Sequence, residues 1–269
     1  MSIDTLRQSD IEPFLEMAAE EGWICDHWEL EFLRRAFPAG CLVWREGNRP
    51  IAFVTSIKYG RSGWIGNLIV SPALRGRGTG SALIQAALSA LETAGAETVW
   101  LTASTAGRPI YEKVGFQAVD TVYRWRGKAP AGSETLQPSL DLTAIKAIDR
   151  AGWGDFRELI FAALGGKGTI FTAGDGFLCR HRYADGVQLG PWGCLTPETA
   201  RRLLQQALQS AGETAGTFLD MPGRNREGAK LLNLTGFRVA GSTLLMYRGR
   251  CPAYRPELIY GLASMGSFG

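Results

Sequence analysis

Short apolar runs and helix-spaced apolar positions take turns along the first half of the chain. Residues 3–6 predict a first strand. Ser9-Asp10 offers an N-cap, and Ile11, Phe14, Leu15 and Ala18 follow at helical spacing. Glu20-Glu21-Gly22-Trp23 ends that helix. A second begins near Asp26, carries Trp28, Phe32 and Leu33 on one face, and stops before Pro38-Ala39-Gly40. Residues 41–44 and 51–59 read as strands joined by a Glu46-Gly47-Asn48 hairpin turn. A turn at 60–63 leads to a strand at 64–70. Leu83, Ile84, Ala87, Leu88 and Leu91 form a continuous helical stripe closed by Gly95. A short buried strand at 98–102, a small helix at 108–113 and a strand at 119–126 come next. Residues 128–138 are rich in Ala, Gly, Ser and Pro and read as a linker.

The strand at 64–70 runs directly into Ser71-Pro72-Ala73-Leu74-Arg75-Gly76-Arg77-Gly78-Thr79-Gly80-Ser81, and the helix with the apolar stripe opens at once. Three glycines at alternate positions let the backbone turn its N–H groups inward. A helix N-terminus with unpaired N–H groups favours an anion there. The reading is a pocket for phosphate groups. A P-loop would need Gly and Lys where Ser81 and Ala82 stand. A dinucleotide fingerprint would need its third glycine one residue later than Gly80. Neither spacing fits.

The second half repeats the first at an offset near 120. Leu83-Ile84-Gln85-Ala86-Ala87-Leu88 returns as Leu203-Leu204-Gln205-Gln206-Ala207-Leu208, and Glu92-Thr93-Ala94-Gly95 as Glu213-Thr214-Ala215-Gly216. Gly115-Phe116 returns as Gly236-Phe237, and Arg126-Gly127 as Arg248-Gly249. Ordered matches at one offset imply a duplicated domain. The copy differs at the loop: Gly76, Gly78 and Gly80 align with Thr196, Glu198 and Ala200. Thr196-Pro197-Glu198 reads as an ordinary helix start, with a carboxylate on the dipole where a phosphate would go. Tyr111 has no tyrosine counterpart, the segment there being 230–235. The last stretch, 251–269, carries Tyr254, Leu258, Ile259, Tyr260, Leu262 and Met265, too apolar for a free tail.

Composition adds mainly exclusions. The net charge of +3 on 269 residues gives no argument for nucleic acid or membrane, and no apolar run reaches 18 residues. The first ten residues lack a basic region followed by an apolar core, so no signal peptide is expected. Five cysteines without C-x-x-C spacing read as reduced thiols of a cytoplasmic protein. His27 and His181 have no second ligand nearby in sequence, so no metal is expected.

The pattern V-x-P-x-x-R-G-x-G-x-G from Val70 to Gly80 resembles the coenzyme A pyrophosphate loop of the GNAT N-acetyltransferase superfamily. Tyr111-Glu112-Lys113-Val114-Gly115-Phe116 resembles the family's Y-E-K-x-G-F signature. The element order over residues 1–127 is the family's too. The resemblance implies an α+β (mixed α/β) fold of two tandem GNAT-like domains, each a mostly antiparallel mixed sheet flanked by helices. The first spans 1–127 and binds acetyl-CoA, 128–138 links them, and 139–269 is a degenerate copy with a packed tail, as in two-domain bacterial members. It implies transfer of an acetyl group to the primary amine of a small molecule or peptide, with the second domain shaping the acceptor site and binding no coenzyme A. It also assigns residues. Leu68, Ile69 and Val70 pair with the pantetheine amides, and the Val70 N–H stabilises the oxyanion. Arg75, Gly76, Arg77, Gly78, Thr79, Gly80 and Ser81 hold the pyrophosphate, and Tyr111 protonates the departing thiolate. Ser104, standing where the family often has Asn, and Arg108 are further cofactor candidates. The base that deprotonates the amine stays open among Glu20, Glu21, Asp26, Glu29 and Asp220. A coenzyme A-binding regulator without turnover stays open as well.

Overall fold

Runs of buried residues set the central strands, and stripes of Leu, Ile and Ala set the helices that cover them. The computed structural model describes residues 2–128, 142–183, 186–209 and 216–269. The expected linker lies outside these residues except for Lys128, as does most of the repeat at 213–216. Among the described residues there are eight α-helices and twelve strands in a mixed, mostly antiparallel α/β arrangement. Contacts divide the chain into two units. The first comprises Met1–Gln117, Met246–Cys251 and Gly266–Gly269, and the second Ala118–Leu245 and Pro252–Met265.

In the first unit β1 (Ser2–Thr5), β2 (Leu42–Glu46), β3 (Arg49–Lys58) and β4 (Ser62–Val70) pair antiparallel in chain order. The helices α1 (Ile11–Glu20) and α2 (His27–Ala36) connect β1 to β2. Asp26 caps α2 by accepting from Glu29 N at 2.9 Å. The cap expected for α1 takes a different form. Asp10 accepts from Arg7 N and binds the buried Arg45 guanidinium through both oxygens, at 2.9 and 2.6 Å. A guanidinium out of water requires a counter-charge more than the helix end requires a cap. After the loop comes α3 (Thr79–Thr93), which buries Leu83, Ile84, Ala87, Leu88 and Leu91. Each of the larger side chains contributes about 2 kcal/mol by leaving water. β5 (Thr98–Ala103) is parallel to β4, and α4 (Arg108–Lys113) follows. Met246–Cys251 runs beside β5: Arg250 N donates to Glu97 O, Thr98 Oγ1 to Arg250 O, and Tyr247 lies against Trp100.

β6 (Gln117–Lys128), read in the sequence as the last strand of the first domain, falls in the second unit after its first residue. There it pairs antiparallel with β10 (Gly216–Pro222) along the latter's whole length. β6 and its repeat β11 (Arg238–Gly249) have thus traded part of their places. The rest of this unit repeats the plan of the first. The helices α5 (Leu142–Trp153) and α6 (Glu158–Lys167) precede β7 (Thr169–Ala173), β8 (Gly176–Tyr183) and β9 (Gly186–Cys194), which pair antiparallel. The helix α7 (Pro197–Gln209) buries Ala200, Leu203, Leu204, Ala207 and Leu208, repeating the stripe of α3. α8 (Arg226–Leu234) follows β10, and β12 (Ile259–Gly261) ends the unit's strands.

Candidate active site

The site starts from a parting of strands. β4 and β5 pair only at Ser62–Thr98, Gly63–Val99 and Trp64–Trp100, while β4 runs on to Val70. Along that extension one side of β4 carries no strand of β5. The direction of its backbone groups comes from the ladder. Ser71 N donates to Ile51 O at 2.9 Å, so that pair carries ladder bonds and the next, Val70–Ala52, does not. The N–H and C=O of Val70 therefore point away from β3, to the side where β5 has diverged. Arg75 Nε meets that carbonyl there at 3.0 Å.

The loop turns on two glycines. Gly76 (φ 76°) and Gly78 (φ 85°, the N-cap of α3) adopt left-handed backbone that a side chain would strain. Gly80 is different, since it lies inside the first turn of α3. A Cβ there would meet Val70, Leu68 and Ile110 at 3.6–4.0 Å, ordinary contact distances. The alternation of three glycines is thus two turn residues plus one small helix residue beside the strand. The first helical bond runs from Ala82 N to Gly78 O. The N–H groups of residues 76–81 meet no protein acceptor among the described residues. Arg75 and Arg77 are exposed, Thr79 is buried and Ser81 half-buried. Arg75 is also paired with the exposed Glu21.

α4 adds the tyrosine. Tyr111 is buried, its ring edge-on to Phe116 at 6.0 Å, and burial pushes its phenol up to about 12. Its hydroxyl makes no hydrogen bond among the described residues. Ile110, its neighbour, reaches the first turn of α3. Ser104 holds the turn before α4: its hydroxyl accepts from Gly107 N at 3.1 Å and its carbonyl from Arg108 N. Arg108 is turned along α4 onto Glu112. Leu68, Val70, Gly80 and α4 therefore come together, whereas the side chains of Ser104 and Arg108 are engaged within their own turn and helix.

The candidate bases separate. Glu20 and Glu21 are exposed, and Asp26 is spent on the α2 cap. Glu29 is fully buried and accepts from Ser267 Oγ. Asp220 is fully buried and held by Arg124 through two bonds of 2.8 Å. A guanidinium bonded to both oxygens occupies one lone pair on each and fixes the carboxylate in place. Asp220→Ala accordingly lowers the unfolding free energy by about 3 kcal/mol by stranding Arg124. In denaturant titration that loss appears as a lower unfolding midpoint. Sequence reasoning missed Asn67, at φ 53° inside β4, and Ser267 beside it. An Asn in a strand interior was the only local signal for the first. Among the described residues no three His, Cys, Asp or Glu side chains gather as a metal site, and no helix is long and apolar enough to cross a membrane.

The second unit has the same parting of strands, filled from within. β9 and β10 pair only at Val187–Thr217 and Gln188–Phe218. Beyond that, β12 pairs with β9 at Gly193 and Trp192, and Leu262 N donates to Asp220 O of β10 at 2.8 Å. Gln188 Nε2 holds Ala263 O from β9 at 3.0 Å. The start of α7 is also taken. Asp175 accepts from the Thr196 and Thr199 hydroxyls, which hold its carboxyl below the ordinary range, and Thr196 accepts from Thr199 N. Together with Glu198 this supplies the negative charge that the helix N-terminus favours.

Comparisons with known proteins agree with this duplication. Residues 3–116 match the acetyltransferase (GNAT) family and residues 145–261 an acetyltransferase (GNAT) domain. No curated protein matches the chain. Among solved structures, a protein from Pyrococcus horikoshii provisionally named an acetyltransferase superposes with a TM-score of 0.86 at 20% identity, over 100% of this chain and 95% of that one. A GCN5-related N-acetyltransferase from Sphaerobacter thermophilus gives 0.64 at 15% identity, over 97% and 98%. At such identities these likenesses speak to the fold. With a strand, Gly-turn and helix in the first copy and the same plan filled in the second, both under matches to one family, the chain is a tandem GNAT-like protein of the GNAT acetyltransferase family.

Proposed function

We propose that the chain is an acetyl-CoA-dependent N-acetyltransferase whose first unit carries out the transfer and whose second unit takes no coenzyme A. The observation that supports it most is the direction of the Val70 N–H and C=O, which face the open side of β4 next to the loop. In this reading the N–H groups of Gly76, Arg77, Gly78, Thr79, Gly80 and Ser81 and the dipole of α3 receive the pyrophosphate. Arg75 and Arg77 add charge, and Ser104 and Arg108 border the pantetheine arm. Leu68, Ile69 and Val70 line that arm, and the outward-facing Val70 N–H and C=O pair with it as one more strand would, which requires Arg75 to leave the Val70 carbonyl.

The neutral amine attacks the thioester carbon, forming the C–N bond. The Val70 N–H receives the developing oxyanion. Collapse breaks the C–S bond, the Tyr111 phenol gives its proton to the departing thiolate, and the proton lost by the amine restores the balance. Burial of Tyr111 serves this role, because a phenol raised to about 12 stays a donor throughout the neutral and mildly alkaline range. The acceptor is the primary amine of a small molecule or peptide rather than nucleic acid or lipid, and the setting is the cytoplasm.

Calorimetry with acetyl-CoA and a thiol-release screen over amino acids, polyamines, aminoglycosides and peptides test this. Absence of acetyl-CoA binding overturns it, and binding without turnover over the whole panel replaces it with a coenzyme A-responsive regulator. Tyr111→Phe should lower kcat about 100-fold and leave acetyl-CoA affinity unchanged. In the wild type, kcat shows no falling limb from Tyr111 as pH passes 10. The donor is lost only as pH rises through the raised value near 12.

A further inference from the structure

The strand that leads into the loop is kinked, and the residues that hold the kink come from the far end of the chain. Two β4 residues, Asn67 and Leu68, stand opposite one residue of β3 between the Phe53–Ile69 and Thr55–Gly66 pairs. Such a bulge bends the strand and re-aims the residues beyond it. Asn67 takes the strain at φ 53°, a region that Asn bears better than other side chains.

Three contacts fix Asn67. Its N–H donates to Gly266 O at 3.0 Å, its Nδ2 to Thr55 Oγ1 at 3.1 Å, and Ser267 Oγ reaches its Oδ1 at 3.2 Å. The single Ser267 proton is shared with Glu29 Oε1 of α2. All four side chains, Thr55, Asn67, Glu29 and Ser267, are buried. The segment that supplies Ser267 is itself anchored: Phe268 is fully buried, packs edge-on against Phe32 at 5.8 Å, and accepts from the Tyr59 hydroxyl at 2.7 Å. Gly66 makes room for it, since a Cβ there would overlap the Gly266 carbonyl. A buried polar cluster gains little stability over an apolar one. What this cluster provides is a fixed geometry at the residue before Leu68.

We propose that Ser267 is a positioning residue for acyl transfer: bridging Glu29 and Asn67, it holds the β4 kink that aims the backbone of residues 68–70. This rests on the reading of β4 as the strand that receives the thioester arm. Glu29 is in consequence a partner of Ser267, and through it of the kink at Asn67, rather than the base that touches the amine.

Full-length Ser267→Ala, Asn67→Gly and the double variant test it. Asn67→Gly keeps the positive φ without steric cost. Each single change is expected to lower kcat about tenfold while acetyl-CoA affinity stays within about twofold. The double variant should be no slower than either single, because one device is broken once. Ser267→Thr, which keeps the hydroxyl, should return most of the rate. A Ser267→Ala kcat within about twofold of wild type, or a double variant whose losses multiply, overturns the proposal. If the wild type turns over no amine, the acyltransferase reading fails separately. Amide exchange over residues 67–70 then decides: about tenfold faster exchange in Ser267→Ala upholds the clamp, and unchanged exchange overturns it.

Discussion

Expressed alone, residues 1–128 are expected to give no cooperative melting transition and to bind no acetyl-CoA. The fragment contains every element that the sequence assigns to a first domain, yet it lacks two pieces of the first unit, Met246–Cys251 and Gly266–Gly269. Without the former, Glu97 O and the Thr98 hydroxyl beside β5 lose the Arg250 backbone. Without the latter, the fully buried Phe268 leaves a hole and the Tyr59 hydroxyl loses its acceptor. Deleting a buried Phe side chain costs about 3–5 kcal/mol, against a net stability of about 5–15 kcal/mol for a whole domain. Residues 118–128 in turn present a strand without β10, its partner in the intact chain. Circular dichroism against temperature reads the result. A sharp two-state transition in the fragment would show that both C-terminal pieces are dispensable.

Gly78→Val is expected to weaken acetyl-CoA binding about 30–100-fold, while Gly80→Ala changes it by less than about threefold. Gly78 begins α3 at φ 85°, where a β-branched side chain costs about 2–3 kcal/mol. A loop that relaxes to escape that strain turns its N–H groups away from the phosphates and must recover the strain to bind. Gly80 is helical, and a methyl group there meets Val70 and Leu68 at ordinary distances. Calorimetry on the two variants separates backbone shape from glycine content. Equal losses at both positions would mean that the close approach of α3 to the strand, rather than the left-handed turn, governs the pocket.

What the sequence made legible was local. The stripe Leu83, Ile84, Ala87, Leu88 and Leu91 is buried as its spacing predicts, because helix periodicity depends only on neighbours in the chain. The glycine turn before α3 was legible for the same reason, since glycine at a left-handed position leaves a mark at that position. The copy's altered loop was readable as a helix start, but Asp175, which supplies its second carboxylate, lies on the β7–β8 turn, two strands earlier in the chain, and carries no motif. Two features were out of reach. β6 and β11 hold matching places in the duplicated sequence, with Arg126-Gly127 answering Arg248-Gly249, and a local pattern cannot say which goes where. The Asn67–Ser267 contact spans two hundred residues of sequence and joins two ordinary polar residues. Asp10 illustrates the same limit at short range: its helix-cap signature was sound, and a buried Arg45 took the carboxylate instead.

The traded strands bear on how the chain is made. Residues 1–117 leave the ribosome first, but the first unit is complete only when Met246–Cys251 and Gly266–Gly269 have emerged. At ordinary elongation rates that delay is on the order of ten seconds. For that time the β5 edge and the bed of Phe268 stand open, on a polypeptide whose own next strand, β6, is an available wrong partner for that edge. The order of synthesis therefore favours an early non-native pairing that must be undone, and the native exchange forms late, through contacts far apart in sequence.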